Sequence, residues 1–198
     1  MRLGGFQRFT LSDYPGKPSA VIFTQGCNFR CPFCHNRQLW SEHAGGRERD
    51  GDIFTFLRQR KGLLQGVVIT GGEPTVQDEL IFFIARIKKI GYAVKLDTNG
   101  SHPDVVAQLI SKSLIDYCAM DIKAPSKKYA LLCGVHVDTD RIMDTIRIIH
   151  SSGVPHHFRT TVYPPMLSDK DIREVKKTMV PENGTYVIQP YRGFGTDC

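Results

Sequence analysis

The chain has 198 residues, of which 41% are hydrophobic and 23% charged, the balance of a globular domain long enough to bury a core. It begins without an apolar leader and contains no apolar run of membrane-spanning length, so we expect a cytoplasmic protein that makes no membrane contact. The formal net charge of +6 comes from Lys and Arg spread along the chain, and apolar residues interrupt even the run KKIGYAVK at 88–95, which favours a solvated basic surface over nucleic-acid binding.

Six short β-rich runs alternate with stretches of helical patterning. The runs cover residues 19–26, 66–72, 92–100, 115–123, 156–164 and 184–190. Residues 1–18 precede the first run as an N-terminal extension, and we expect residues 1–198 to form one domain. Strands that alternate with helices predict a parallel sheet with right-handed crossovers.

The helical stretches are marked by apolar residues that recur every three or four positions. One pattern runs from Val76 to Ile90, and another covers 142–149 behind an N-cap at 138–140. The segment SDKDI at 168–172 resembles a capping box, and weaker patterns cover 51–61 and 103–112. Six β/α units are too few for an eight-fold barrel, so the α/β fold is either a partial, open (β/α)6 barrel or a doubly wound sheet.

Polar residues collect where these strands end. The first run leads into Cys27, and the others carry Glu73; Asp97, Thr98 and Asn99; Asp121 and Lys123; Arg159 and Thr161; and Gln189. In barrels and open α/β sheets alike, the ligand lies beyond the carboxyl ends of the strands. Six strand ends that carry polar residues therefore predict a single lined cavity.

Three of the six cysteines, Cys27, Cys31 and Cys34, lie within eight residues, which indicates a metal site. Zinc could take the three thiolates and His35, although adjacent residues such as Cys34 and His35 seldom both reach one tetrahedral ion. A [4Fe–4S] cluster normally takes four thiolates, so three would leave one iron open to a ligand. The other cysteines have no ligand spacing, and we interpret Cys118 and Cys133 as core or surface thiols and Cys198 as a free terminal thiol.

The segment CNFRCPFC, with Phe33 before its third cysteine, resembles the CxxxCxxC signature of radical S-adenosylmethionine (SAM) enzymes, and GGEP at 71–74 resembles that superfamily's contact for the methionine amino group. The order CHN, GGEP, DTNG and DIK is similar to that of glycyl-radical-enzyme activases. The opening GFQRFTLSDYPGK followed by FTQGCNFRCPFCHN most resembles the activating proteins of anaerobic ribonucleoside-triphosphate reductases.

This resemblance implies a partial (β/α)6 barrel and a [4Fe–4S] cluster held by Cys27, Cys31 and Cys34, with SAM on the open iron. One electron from the reduced cluster would release a 5′-deoxyadenosyl radical, which abstracts a hydrogen atom from a glycine of a partner enzyme. The partner implied is an anaerobic ribonucleotide reductase, and a flavodoxin- or ferredoxin-like protein would donate the electron.

The resemblance also implies roles for single residues. Glu73 would accept a hydrogen bond from the SAM amino group, beside a backbone that Gly71 and Gly72 allow to approach closely. Further contacts with SAM are implied for Phe33 (beside the adenine), His35, Asn36, Asn99, Lys123 and Arg159. Asp97, Thr98 and Asp121 would help to bind a monovalent cation and the SAM carboxylate, and Lys123 is implied as a catalytic residue beside the three cluster cysteines. Each of these groups has a structural alternative: a turn at GGEP, a solvated acidic rim, or ion pairs for Lys123 and Arg159.

Two departures and three alternatives bear on the activity. The stretch QPYR, with Arg192, stands where formate-lyase activases tend to carry a pattern like LPYH, and no cysteine between His35 and Gly71 could hold an additional cluster. A radical SAM enzyme acting on a small molecule, such as a deazapurine synthase, remains an alternative. So do a formate-lyase-type activase and a non-enzymatic zinc or electron-transfer iron–sulfur protein.

Overall fold

The computed structural model describes residues 1–42 and 49–191. One sheet contains seven strands in chain order: β1 (Leu3–Thr10), β2 (Ser19–Thr24), β3 (Gly66–Gly71), β4 (Ala93–Thr98), β5 (Tyr117–Asp121), β6 (His156–Val162) and β7 (Tyr186–Pro190). Strands β2 to β7 pair in parallel, and β1 pairs antiparallel with β2. A doubly wound sheet reverses its strand order at a switch point, and this sheet does not. The partial, open barrel is therefore confirmed.

Helices join the parallel strands: α1 (Asp50–Gln59), α2 (Leu80–Ile90), α3 (Pro103–Ser111), α4 (Tyr129–Cys133), α5 (Thr139–Ser151) and α6 (Asp169–Thr178). The N-cap at Asp138 and the capping box of Ser168 with Asp171 are confirmed. The predicted helix start at Val76 is wrong, because Val76 ends a 3-10 turn and Gln77 is extended, so α2 begins at Leu80. In the described ranges, no helix has the length and hydropathy needed to cross a membrane.

The two faces of the strands are buried differently. Ile22, Ile69 and Leu96 belong to the large apolar core that also contains the helix residues. Val21 and Val68 point the other way and form a small apolar cluster with Tyr14. Because side chains alternate along a strand, Lys95 and Asp97 share the inner face of β4. The barrel interior is therefore apolar around Tyr14, Val21 and Val68, which we call the floor. It is charged toward the carboxyl ends of the strands, which we call the mouth.

Strand β1 was not predicted, because residues 3–10 contain two adjacent glycines and no regular alternation. The segment after β1 folds under the barrel, where Tyr14 is 2% exposed and its ring lies 5.9 Å from that of Tyr117. A Cβ on Gly66 would lie 2.7 Å from the Tyr14 ring, so the absence of a side chain at Gly66 makes room for it. Tyr14 thus plugs the floor of the barrel.

We expect Tyr14→Ala to lower the free energy of unfolding by about 3–5 kcal/mol, the usual cost of truncating a buried aromatic residue. Tyr14→Phe should remain close to wild type, because it keeps the buried ring and removes only the hydroxyl group. Urea denaturation followed by circular dichroism measures both variants. Equal midpoints for Tyr14→Ala and wild type would show that the plug does not stabilise the fold.

Candidate active site

One cavity opens at the carboxyl ends of the parallel strands. Every residue proposed for the site from sequence lines it: Cys27, Cys31, Phe33, Cys34, His35, Asn36, Gly71, Gly72, Glu73, Asp97, Thr98, Asn99, Asp121, Lys123 and Arg159. Thr161 and Gln189, noted at the ends of the last two runs, line it too. The strand-end pattern thus predicted which residues meet; their individual roles stay predictions.

The cysteine loop lies over the mouth of the barrel because backbone hydrogen bonds hold both of its sides. The N–H groups of Gly26 and Cys27 donate to the carbonyls of Leu39 and Trp40 at 2.8 and 3.3 Å. On the other side, the N–H of Arg30 donates to the Cys133 carbonyl at 2.7 Å. These hydrogen bonds close the base of the loop and join it to the end of α4.

The thiols of this loop are free and differ in environment. Cys31 is buried, whereas Cys27 and Cys34 are partly exposed, and no described cysteine forms a disulfide. Burial raises the pKa of Cys27 to about 12, while a hydrogen bond with the Cys133 side chain lowers that of Cys31 to about 7. Cys133 is a core thiol, as one of the interpretations held, but it also contacts the cysteine motif.

The donor set fits an iron–sulfur cluster. Three free thiols line one wall of the cavity, together with the apolar rings of Phe29 and Trp40, and three thiolates in an apolar shell suit such a centre. Within 1–42 and 49–191, no three His, Cys, Asp or Glu side chains converge closely enough to hold a single metal ion. A [4Fe–4S] cluster binds its ligands through different irons, so its thiolates need not converge on one point. A zinc ion would need such convergence, and the described side chains do not provide it.

The remaining thiols lie apart from this wall. Cys118, on β5, is fully buried in the core, and burial raises its pKa to about 12. Cys198 and Arg192 lie outside the described residues.

The Glu73 carboxylate is buried and holds the ends of β3 and β4 together. Its Oε1 accepts hydrogen bonds from the Thr75 N–H at 3.1 Å, the Thr75 hydroxyl at 2.5 Å and the Thr98 hydroxyl at 2.7 Å. Among the donors of residues 1–42 and 49–191, its Oε2 accepts from the Asn99 N–H alone, at 2.7 Å. Burial raises the pKa of Glu73, and these hydrogen bonds oppose the rise. A carboxylate oxygen has room for a further donor, so Oε2 can still accept one from a ligand.

The two glycines before Glu73 are required by the protein's own backbone. A Cβ on Gly71, whose φ is +118°, would lie less than 3.0 Å from the Thr24 backbone, and one on Gly72 less than 3.0 Å from the Gly26 carbonyl. The Glu73 N–H donates to that carbonyl at 2.9 Å. The glycines thus let the GGEP turn pack against the chain that leads into Cys27, which accounts for them without any ligand.

Five charged side chains form a network inside the barrel. Asp121 pairs with Lys123 at 2.8 Å and with the Arg159 Nε, and Asp97 pairs with Lys95 and, at 3.4 Å, with Arg159. Burial alone would raise the pKa of Asp121, but the charges of Arg159 and Lys123 outweigh it and hold that pKa well below its usual range. The structural alternative for Lys123 and Arg159, pairing with acids, is therefore what the side chains adopt.

The residues proposed for a monovalent cation do not fit one. Each carboxylate oxygen of Asp97 and Asp121 already contacts a protein cation. The Thr98 hydroxyl donates to Glu73 and accepts from the Gly100 N–H at 3.1 Å. A metal cation would have to displace these donors and approach three positive side chains, which Coulomb repulsion opposes.

Asn99, His35 and Phe33 have contacts that the sequence did not indicate. The Asn99 Nδ2 donates to the Asn28 Oδ1 at 2.9 Å, which ties the end of β4 to the cysteine loop. The Phe33 ring stacks on Tyr163 with centroids 5.7 Å apart, and the His35 ring on Tyr191 at 5.2 Å. Asn36 precedes a short 3-10 turn whose Leu39 N–H donates to the Asn36 carbonyl at 2.9 Å. An aromatic wall thus extends beyond the proposed residues.

Two functional candidates were missed from sequence. Lys95 belongs to the run expected to be solvated, yet it is 3% exposed and pairs with Asp97; its spacing of two from Asp97 within a strand was the available signal. Cys133 reaches Cys31 from α4, and no local pattern relates two positions so far apart in sequence.

Comparisons with known proteins agree with this arrangement. Residues 21–179 match the model of the Radical SAM superfamily. A Methanocaldococcus jannaschii protein provisionally named a glycyl-radical enzyme activating enzyme is 38% identical over 96% of this chain and 79% of its own length. Escherichia coli pyruvate formate-lyase 1-activating enzyme is 28% identical over 86% of this chain and 71% of its own. The 7-carboxy-7-deazaguanine synthase of Aquifex aeolicus is 37% identical over 43% of this chain and 38% of its own.

Solved structures resemble the chain in fold. SuiB of Streptococcus suis bound to its precursor peptide superposes with a TM-score of 0.66 at 19% identity, over 87% of this chain and 39% of SuiB. The anSMEcpe protein with bound AdoMet and a peptide gives 0.66 at 17% identity, over 88% of this chain and 51% of its own. The present chain thus spans about half, or less, of these solved proteins, and the likeness supports the partial barrel.

We expect Glu73→Ala to lower the free energy of unfolding by about 1–3 kcal/mol, because it leaves buried donors of Thr98 and Asn99 without an acceptor. Glu182→Ala, at an exposed position, is the matched control and should leave stability unchanged. Urea denaturation of the three proteins without cofactor measures the difference. If both variants unfold at the wild-type midpoint, Glu73 does not hold the strand ends together.

Proposed function

The chain belongs to the radical SAM superfamily, and on that premise we propose that it is an activase, which uses a [4Fe–4S] cluster and SAM to generate a glycyl radical on a partner enzyme. The observation that carries the proposal is the single cavity that brings three free thiols together with the GGEP, DTNG and DIK side chains. The relatives named as activating enzymes support it, since they match over 86% or more of the chain.

In this proposal Cys27, Cys31 and Cys34 hold the cluster, leaving one iron without a thiolate. When bound, the cluster and SAM together supply the carbon radical that removes a hydrogen atom from glycine. The protein's own part is to bind, orient and exclude water. The loop contacts described above fix the thiols in place, and the Phe29 and Trp40 rings shield one wall.

The polar side chains would orient SAM by charge. The remaining acceptor position on the Glu73 Oε2 suits the amino group, since a buried carboxylate forms a strong, charge-assisted hydrogen bond with an ammonium. Lys123 and Arg159 are each bonded to Asp121 and retain other N–H groups, which suit the SAM carboxylate. Phe33, His35 and Asn36 would line the adenosine side. A monovalent metal ion is not part of this proposal.

We place the target glycine on an anaerobic ribonucleotide reductase. Support comes from the resemblance of the opening GFQRFTLSDYPGK to reductase-activating proteins and from QPYR in place of LPYH. A flavodoxin- or ferredoxin-like donor would supply the electron, as the redox chemistry requires. The free cysteines accord with the reducing cytoplasm, and residues 1–198 would act as one domain.

The match to the deazaguanine synthase favours a second candidate, hydrogen abstraction from a small molecule. The two functions differ in where the hydrogen atom originates. Anaerobic incubation of the cluster-reconstituted protein with a chemical reductant, SAM and a reductase deuterated at glycine should transfer deuterium into 5′-deoxyadenosine and produce a glycyl radical signal in electron spin resonance. Pyruvate formate-lyase serves as the comparison partner. Turnover of SAM without deuterium transfer from either partner would contradict the activase function.

We expect Cys31→Ala to abolish retention of the cluster after anaerobic reconstitution, because two thiolates are too few to hold it. Cys118→Ala, which removes a buried thiol outside the cavity lining, is the control and should keep the wild-type iron content. Iron and sulfide analysis with the visible absorption spectrum measures both. Equal iron content in Cys31→Ala and wild type would refute the ligand role.

A further inference from the structure

Lys95 is an unusual residue to find inside a barrel. It lies on β4, is 3% exposed, and its Nζ contacts the Asp97 Oδ1. Burying a Lys ammonium is unfavourable unless a charged partner compensates it. Val94 and Leu96, its neighbours in the strand, pack in the helix-facing core, so Lys95 points into the interior, toward the cavity that Asp97 lines.

The network around Lys95 carries more positive than negative charge. Lys95, Lys123 and Arg159 contribute three cations, and Asp97 and Asp121 contribute two carboxylates. Lys123 and Arg159 balance the two carboxylates, so Lys95 adds the one excess positive charge, which is the charge that a bound monovalent cation would add. A ligand carboxylate placed here would complete the charge balance, whereas an added metal ion would disturb it.

We propose that the Lys95 ammonium is a covalently attached substitute for a monovalent metal cation, so that this chain binds SAM without sodium or potassium. An ammonium carries the same single charge as either ion, and it reaches a carboxylate through N–H donors. Because it is tethered to β4, it cannot dissociate or be exchanged. The consequence of this replacement for SAM binding rests on the proposed function. Its consequence for the binding of metal cations does not.

The first test needs neither cluster nor SAM. Melting temperatures are measured for the full chain in sodium, potassium and tetramethylammonium chloride at equal ionic strength. The wild type should melt at the same temperature in all three, because no ion binds specifically. Lys95→Met removes the charge at nearly constant length, and sodium or potassium should then raise its melting temperature by about 2–4 °C over tetramethylammonium.

Lys127→Met is the matched control, since Lys127 is exposed and forms no ion pair among the described residues; it should behave as wild type. A wild-type protein stabilised by sodium or potassium would overturn the proposal, and that measurement stands even if Lys95→Met fails to fold. A folded Lys95→Met with no preference among the three salts would also overturn it, because Lys95 would then be only a structural counterion.

The second test uses the reconstituted protein and equilibrium binding of SAM. Wild-type affinity should not change with the salt. Affinity of Lys95→Met should fall about tenfold in tetramethylammonium chloride, because Asp97 loses its Lys95 partner and the positive charge beside the cavity falls by one, and potassium or sodium should restore it. If neither sodium nor potassium restores the SAM affinity of Lys95→Met, the Lys95 ammonium does not take the place of a metal cation. Failure of the wild type to bind SAM at all would refute the proposed function and leave the melting experiment decisive for Lys95.

Discussion

The buried carboxylate of Glu73 is the interaction on which the site depends. It joins the turn after β3 to the end of β4 through Thr75, Thr98 and the Asn99 N–H. Asn99 in turn bonds Asn28 of the cysteine loop, so one chain of hydrogen bonds connects three strand ends. Because these groups are buried, each depends on the others for its partner. The thiols and the polar strand ends are therefore positioned by one network.

A second constraint is the contrast between the two ends of the barrel interior. At the floor, Tyr14 packs with Val21 and Val68, and all three side chains are buried. At the mouth, the ion pairs of Asp97 and Asp121 lie above this apolar layer. Charges near an apolar floor are screened less than charges in water, so the network acts strongly on any charged ligand. The segment around Tyr14 thus provides the apolar layer beneath these charges.

Much of the fold and the membership of the cavity could be predicted from sequence, since parallel strands place their carboxyl ends at one edge. The failures have physical causes. Strand β1 lies at an edge and its glycines hide the alternation, while the Val76 helix start was wrong because the Glu73 and Pro74 turn comes first. Lys95 was misplaced because a lysine among apolar residues looks the same whether it faces water or a buried carboxylate. The contact of Cys133 with Cys31 depends on tertiary structure alone, and the role of each site residue remains a prediction.

The tight packing of Gly71 and Gly72 against Thr24 and Gly26 limits how this scaffold can be diversified. In a library of variants with substitutions at Gly71 or Gly72, most side chains would overlap the backbone of Thr24 or Gly26. Such variants would be lost through misfolding, whatever their effect on catalysis. The strands farthest from that turn are less constrained, since β7 is largely exposed and has one strand neighbour in the sheet. Gln189, which lies on β7 and lines the cavity, is therefore a position at which a library meets less steric constraint.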